Sequence, residues 1–327
     1  MRRLMLVLSL LVAVMFMASL LIGPAALGLR ESLSALFTGQ GDAVVLVMRE
    51  IRLPRAILGM MVGAVLGLSG AAMQGFLRNP LAEPGLIGVS SSAALGAVLS
   101  LQFGLAALFP LALPLAALTG AAVSVVLILG LAGPRGGALA LILAGIAISA
   151  LAGAGTSLVL NLSPNPFAAM EIVYWMMGSL ADRSMVHVGL AVPFMVVGMA
   201  ALLTLARGLD ALTLGEDVAA SMGVRLVRLR WVLVAGTAAA VGASVAVAGA
   251  IGFVGLVVPH ILRPFVGGRP SRLLWASALG GAAMVLAADI AVRVVAPDQD
   301  LKLGVLTAIV GAPFFLHLIW RMRGVEA

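Results

Sequence analysis

The chain has 327 residues, of which 62% are hydrophobic and only 10% charged, with a mean hydropathy of +1.19 and a formal net charge of +7. A soluble domain cannot be built from this mixture because its surface would not stay wet, and the unbroken apolar runs exclude a transmembrane barrel, whose strands alternate polar and apolar residues. The absence of cysteine excludes disulfides, thiol catalysis and Cys-ligated metals.

The expected fold is an all-α polytopic membrane protein, one domain over residues 1–327, with about ten transmembrane helices. Apolar segments fall near 4–27, 56–77, 86–103, 107–131, 138–160, 186–206, 231–251, 252–266, 273–296 and 303–320. The eighth is short and broken by Gly252, Gly255 and Pro259, so it is expected to cross irregularly inside a sheath of protein. Ten crossings place both termini on one side of the membrane. If that side is the cytoplasm, seven of the 20 basic residues fall outside (Arg30, Arg49, Arg52, Arg55, Arg183, Arg293 and Lys302), and the majority fall inside. This bias orients the chain, with both termini cytoplasmic. It also explains the net charge without nucleic acid, since no basic tail or aromatic-spaced basic face exists. The seven outer residues run against the rule and require a reason.

The first segment follows Arg2 and Arg3, which also suits a signal peptide, but the run is long and no small-residue cleavage site ends it. Next, Arg52-Leu53-Pro54-Arg55 leads into Gly59, Gly63 and Gly67, a four-residue repeat that makes a smooth face for close helix packing. A tight turn follows at Asn79-Pro80-Leu81-Ala82-Glu83-Pro84-Gly85. A weak internal repeat relates Val62-Gly63-Ala64, Gly70 and Pro80 to Val241-Gly242-Ala243, Gly249 and Pro259, with the two copies crossing in opposite directions, as in inverted-repeat transporters.

Residues 207–230 form the longest polar excursion on the basic side. Thr213 followed three residues later by Glu216 is a capping-box pattern, Leu214, Val218 and Met222 make an apolar stripe, and Gly223 is a C-terminal stop. A helix of about ten residues is too short to stand alone, so a partner or the bilayer surface must hold its apolar face. No Gly-Lys-Ser/Thr loop exists, because the single Lys is Lys302, and Asp289 is the one acidic residue expected deep in a span. A chain without its own ATPase or a carboxylate relay must borrow its driving force from another subunit. His187, His260 and His317 are scattered and read as packing residues, with His260 in a structural turn; no metal site is expected.

Five ordered motifs carry a resemblance: Arg52-Leu53-Pro54-Arg55; the turn from Asn79 through Gly88-Val89-Ser90; Leu214-Gly215-Glu216-Asp217; Gly252-Phe253-Val254-Gly255-Leu256-Val257-Val258-Pro259-His260; and Leu303-Gly304-Val305-Leu306-Thr307 with Gly311-Ala312-Pro313. Together they strongly resemble the permease family of ATP-driven importers for ferric siderophores, haem and cobalamin. The resemblance implies the type II ABC importer permease fold in the bacterial inner membrane. It also implies a second copy of the chain, two cytosolic ABC ATPase subunits and a periplasmic substrate-binding protein, with no enzyme activity or cofactor of the permease's own.

By motif, Arg52, Arg55 and Arg293 match positions that dock the binding protein. Thr213, Leu214, Gly215, Glu216, Asp217, Ala219, Met222 and Gly223 match the segment that couples to the ATPase. In the family the fifth and tenth spans line a central path. The runs at 161–166 and 171–180 are similar to those of haem permeases, which favours haem as cargo and makes Arg183 a candidate contact for propionates at the outer mouth. A ferric siderophore or cobalamin is the alternative cargo. An ion- or proton-coupled carrier and an intramembrane Ser-His hydrolase are the rival classes; the first is disfavoured by the missing carboxylates, the second by the lack of a nucleophile beside a base.

Overall fold

The computed structural model describes residues 1–23, 28–37, 42–109, 111–133, 136–163, 165–296 and 301–323. In chain order the helices are α1 (Arg2–Leu21), α2 (Leu29–Phe37), α3 (Asp42–Leu46), α4 (Leu53–Leu77), α5 (Val89–Gln102), α6 (Leu105–Leu108), α7 (Ala112–Ala132) and α8 (Ala138–Asn161). They continue as α9 (Pro166–Met176), α10 (Met185–Thr204), α11 (Ala206–Leu212), α12 (Glu216–Ser221), α13 (Leu226–Ala248), α14 (Val254–Leu262), α15 (Pro270–Val295) and α16 (Leu303–Arg323). A six-residue π-helical turn, Val47–Arg52, runs directly into α4. Among the described residues, seven helices are long and apolar enough to cross a membrane. Together with α5, α14 and α16 they occupy all ten apolar segments of the sequence.

At the centre α4 and α15 pack antiparallel. A Cβ added to Gly63 would collide with the carbonyl oxygen of Gly281, and one added to Gly67 with that of Ser277. The two backbones therefore touch directly. In lipid, where burying apolar surface drives nothing, such close approach supplies the dispersion contacts that hold helices together. Gly59, the third member of the repeat, faces the side chains of Leu180 and Leu286 instead.

The eighth segment is broken, as its glycines and proline suggested, into an irregular stretch and the nine-residue α14. Helix α13 stops at Ala248, residues 249–253 are not helical, and α14 descends beside α4, with Gly255 against Gly70 and Arg263 against Gln74. Backbone groups freed by the break find partners within the protein: Ser179 N–H donates to Ala248 O at 2.8 Å, and Gln74 Nε2 to the oxygens of Gly255 and Leu256. This satisfies the requirement that non-helical backbone at membrane depth be internally bonded. His260 lies within α14, not in a turn, with its ring edge-on to Phe314 at 6.0 Å. Of the repeat's paired glycines, Gly70 sits inside a helix and Gly249, at φ +69°, in the break.

Replacing Gly67 by Val would wedge the central pair apart, since the obstruction is a backbone oxygen and no side chain can swing away. The expected cost reaches the upper end of about 1–3 kcal/mol, read as a lower thermal midpoint of the detergent-purified protein. Val at Gly130, where an added Cβ meets nothing within 4 Å, should leave the midpoint unchanged.

Candidate functional site

Three places concentrate unusual chemistry. The first is the end of the bundle where α4 begins. Asp289 of α15 is buried and accepts from Arg55 Nε at 3.0 Å and Arg55 Nη2 at 2.8 Å, while its second oxygen pairs with Arg293 Nη2 at 3.0 Å. Arg293 Nη1 also donates to Ser19 O and Ile22 O, and Arg52 Nη1 to Leu20 O and Leu21 O. These are the orphan carbonyls at the C-terminus of α1, so two guanidiniums cap that helix and sit on the negative end of its dipole. Arg49 makes the same contact with Leu36 O near the end of α2. Four of the arginines expected on the outer side, against the charge rule, therefore have intramolecular work. Arg52 is 4% exposed, and the Arg293 side chain 6%; Arg55, at 17%, is the most accessible of the three.

The second place is an apolar cleft of about 690 Å³ between the end of α9 (Met176, with Met177), Ala250, and the face of α16 formed by Gly304, Val305, Ala308, Ile309, Ala312 and Pro313. Among the described residues no charged side chain lines it. Arg183 does not reach it, because its Nε donates to Val247 O at the end of α13. Desolvation there lowers the Arg183 pKa from its usual value. Lys302 lies over the Tyr174 ring, 5.5 Å from its centroid, near the start of α16. Helix α16, the tenth span, lines this cleft, and α8, the fifth, does not.

The third place is the opposite end of the bundle. The capping box is not formed: Thr213 Oγ1 donates back to Asp210 O at 2.7 Å, because α11 runs to Leu212 and Thr213 closes it. Helix α12 starts after Gly215, at φ +107°, and has six residues where about ten were expected. Gly223 ends this segment at φ +86°, with its N–H on Ala220 O, as the sequence suggested. The stripe stands out from the surface, with Leu214 63%, Val218 43% and Met222 62% exposed. Ala219 faces inward and is fully buried, so it offers a partner no surface. Asp217 and Glu216 make the acidic first turn, and Glu216 approaches Arg78 at 3.8 Å, an exposed pair worth little. Asp210 Oδ1 accepts from Ser271 N–H at 2.8 Å, fastening α11 to the start of α15.

A profile of the FecCD transport family matches residues 10–321. The chain belongs to the FecCD transport family. It is 41% identical over 292 residues to the cobalamin import system permease protein BtuC of Halobacterium salinarum, covering 88% of this chain and 77% of that one. It is 38% identical over 277 residues to the Fe(3+) dicitrate transport system permease protein FecD of Escherichia coli (85% and 86%), and 38% over 294 residues to the hemin transport system permease protein HmuU of Yersinia pestis (88% and 86%). A solved structure described as an inward-facing metal-chelate type ABC transporter superposes with a TM-score of 0.88 at 32% identity, covering 98% of this chain and 100% of that one. The chain is thus an ABC importer permease.

For a FecCD permease, the sequence reading missed one residue of note. Glu83, in the Asn79–Gly85 turn, points inward, and its Oε1 accepts from Phe253 N–H at 2.9 Å. Burial pushes this carboxyl up from its ordinary range, and the Phe253 amide partly pulls it back. The available signal was a lone acid between two prolyl kinks in a charge-poor chain.

Replacing Asp289 by Asn would leave Arg55 and Arg293 without their shared counter-ion. Breaking a buried pair in this way costs about 3–5 kcal/mol. The thermal midpoint of the purified permease should fall well below wild type, and an unchanged midpoint would contradict the role given to this carboxylate.

Proposed function

We infer that this protein is the membrane-spanning subunit of an ATP-driven importer that moves a metal chelate from the periplasm to the cytoplasm. Two copies form the path, each contributing its apolar cleft, and both chain termini lie in the cytoplasm. The observation that carries this reading is the exposed Leu214–Val218–Met222 stripe, which runs across the six-residue α12 and both its ends; that helix is too short to persist without support. Such a stripe suits the groove of a soluble ATPase subunit, with Thr213, Gly215, Glu216, Asp217 and Gly223 shaping its ends. Motion delivered there would pass through α11 into α15, to which Asp210 ties it, and on into α4, whose backbone packs directly on α15.

Haem is the favoured cargo, supported by the similarity of residues 161–166 and 171–180 to haem permeases and by a cleft lined with apolar side chains and two methionines. A ferric siderophore or cobalamin is the second reading, favoured by relatives named for Fe(3+) dicitrate and for cobalamin at equal or greater identity. Arg183 holds Val247 O through its Nε, which leaves its other guanidinium donors for a propionate.

The binding protein docks at the end that carries Arg52, Arg55 and Arg293. Arg55 is the leading contact because its side chain retains the most exposure of the three, and guanidiniums match the carboxylates of an acidic partner. Arg52 and Arg293 support that surface by holding α1 in place.

Asp at both Leu214 and Met222 should lower ATP-driven chelate uptake into proteoliposomes at least tenfold and abolish co-purification of the ATPase, with the permease still monodisperse. Uptake driven by an ion gradient without ATP would overturn the reading. Arg55→Glu should weaken association with the binding protein at low salt by about tenfold and less at high salt, measured on immobilised permease.

A further inference from the structure

Phe253 is one of three non-glycine residues with a left-handed backbone among the described residues, at φ +67°. That conformation costs a residue with a bulky side chain free energy, so something must hold it. It stands at the N-terminus of α14, immediately after the break that follows α13, and its carbonyl takes the N–H groups of Leu256 and Val257. The Glu83 carboxylate holds its amide from a segment 170 residues away in the chain. A charge-assisted hydrogen bond is of the same order as the backbone strain it opposes, so the two nearly balance.

The Phe253 side chain lies directly on the bare backbone of α16 at Gly311, where an added Cβ would collide with the Phe253 Cβ and Cγ. Ala308 and Ala312, on the same helix either side of Gly311, line the apolar cleft, so the ring packs beside it. The turn that carries Glu83 is itself wedged between two helices: Pro84 packs on Gly255 of α14, and Leu86 on Gly145 of α8. A shift of α8 or α14 would thus move the carboxylate and, with it, the backbone that aims the ring.

We propose that Glu83 is a positioning residue for transport: its hydrogen bond keeps the Phe253 ring packed on Gly311, at the edge of the cleft that Ala308 and Ala312 line, and its release lets the ring swing aside and widen access there. The proposal rests on the importer reading for its purpose, while its geometry stands on this chain alone.

The absence of native cysteine permits a direct test. A single Ala312→Cys reporter is placed in the permease, reconstituted without nucleotide, and labelled by a membrane-impermeant thiol reagent added from the side that α12 faces. Labelling should be slow with Glu83 intact, about tenfold faster with Glu83→Ala, and close to the intact rate with Glu83→Gln, whose amide oxygen still accepts from Phe253 N–H. Phe253→Ala should match Glu83→Ala, and the double variant should label no faster than either single one, because both act through the same ring. In the complete transporter Glu83→Ala should lose at least tenfold in uptake while ATP hydrolysis continues, a split that a simple folding defect would not produce.

Unchanged labelling in both Glu83→Ala and Phe253→Ala, or Glu83→Gln as open as Glu83→Ala, would overturn the proposal. Should Glu83→Ala not accumulate in the membrane, Phe253→Ala carries the same labelling expectation. Labelling requires no ATP, so failure of ATP-driven uptake in the wild type would count against the importer reading and leave the ring-and-carboxylate arrangement to be judged by the thiol rates alone.

Discussion

One buried carboxylate, Asp289, is the point on which this architecture converges. It anchors Arg55 at the start of α4 and Arg293 near the end of α15, and Arg293 in turn grips the last carbonyls of α1. Three helices are thus tied at one end by charge-assisted bonds in surroundings where an unpaired charge would be costly. Below that tie α4 and α15 continue with backbone touching backbone at Gly63 and Gly67. The result is a stiff central pair, fixed by charge at one end and by close packing along its length.

Stiffness there has a functional corollary. Under the proposed coupling, a gate that borrows its energy needs a lever that does not absorb the stroke, and α11, which Asp210 and Ser271 fasten to the start of α15, is placed to serve as one. At residues 249–253, by contrast, helix gives way to irregular backbone beside the apolar cleft. Lines of polar contact from Gln74, Glu83 and Arg263 surround this break. A transport path with few charges also makes physical sense: a cargo held weakly in the channel can leave it, and affinity is better placed in a separate capture protein.

The outer arginines show how one residue can satisfy two readings. Arg52 and Arg293 look, by motif, like docking residues, and the structure places them as caps on a helix end. A guanidinium has five donors, so a cap and an external partner are not exclusive, but burial restricts what Arg52 can offer outward. The same geometry gives α1 a structural role in the bundle, since its last carbonyls are held by residues of the π-helical turn and of α15.

What the sequence determined by itself follows from local periodicity and from motifs that are continuous in the chain. Ten apolar segments, their broken eighth member, the glycine stop at Gly223 and the kinship carried by five ordered motifs were all legible, because each is written in adjacent or evenly spaced residues. What only the tertiary structure decided involves pairs far apart in sequence or competition between neighbouring elements. Thr213 closes α11 instead of opening α12, because the preceding helix extends to Leu212 and takes its hydroxyl. Arg183 turns to Val247 O, Ala219 turns inward, and Glu83 finds Phe253 across most of the chain. Hydrogen-bond partners of buried polar groups are set by which helices become neighbours in lipid, and no local pattern encodes that choice.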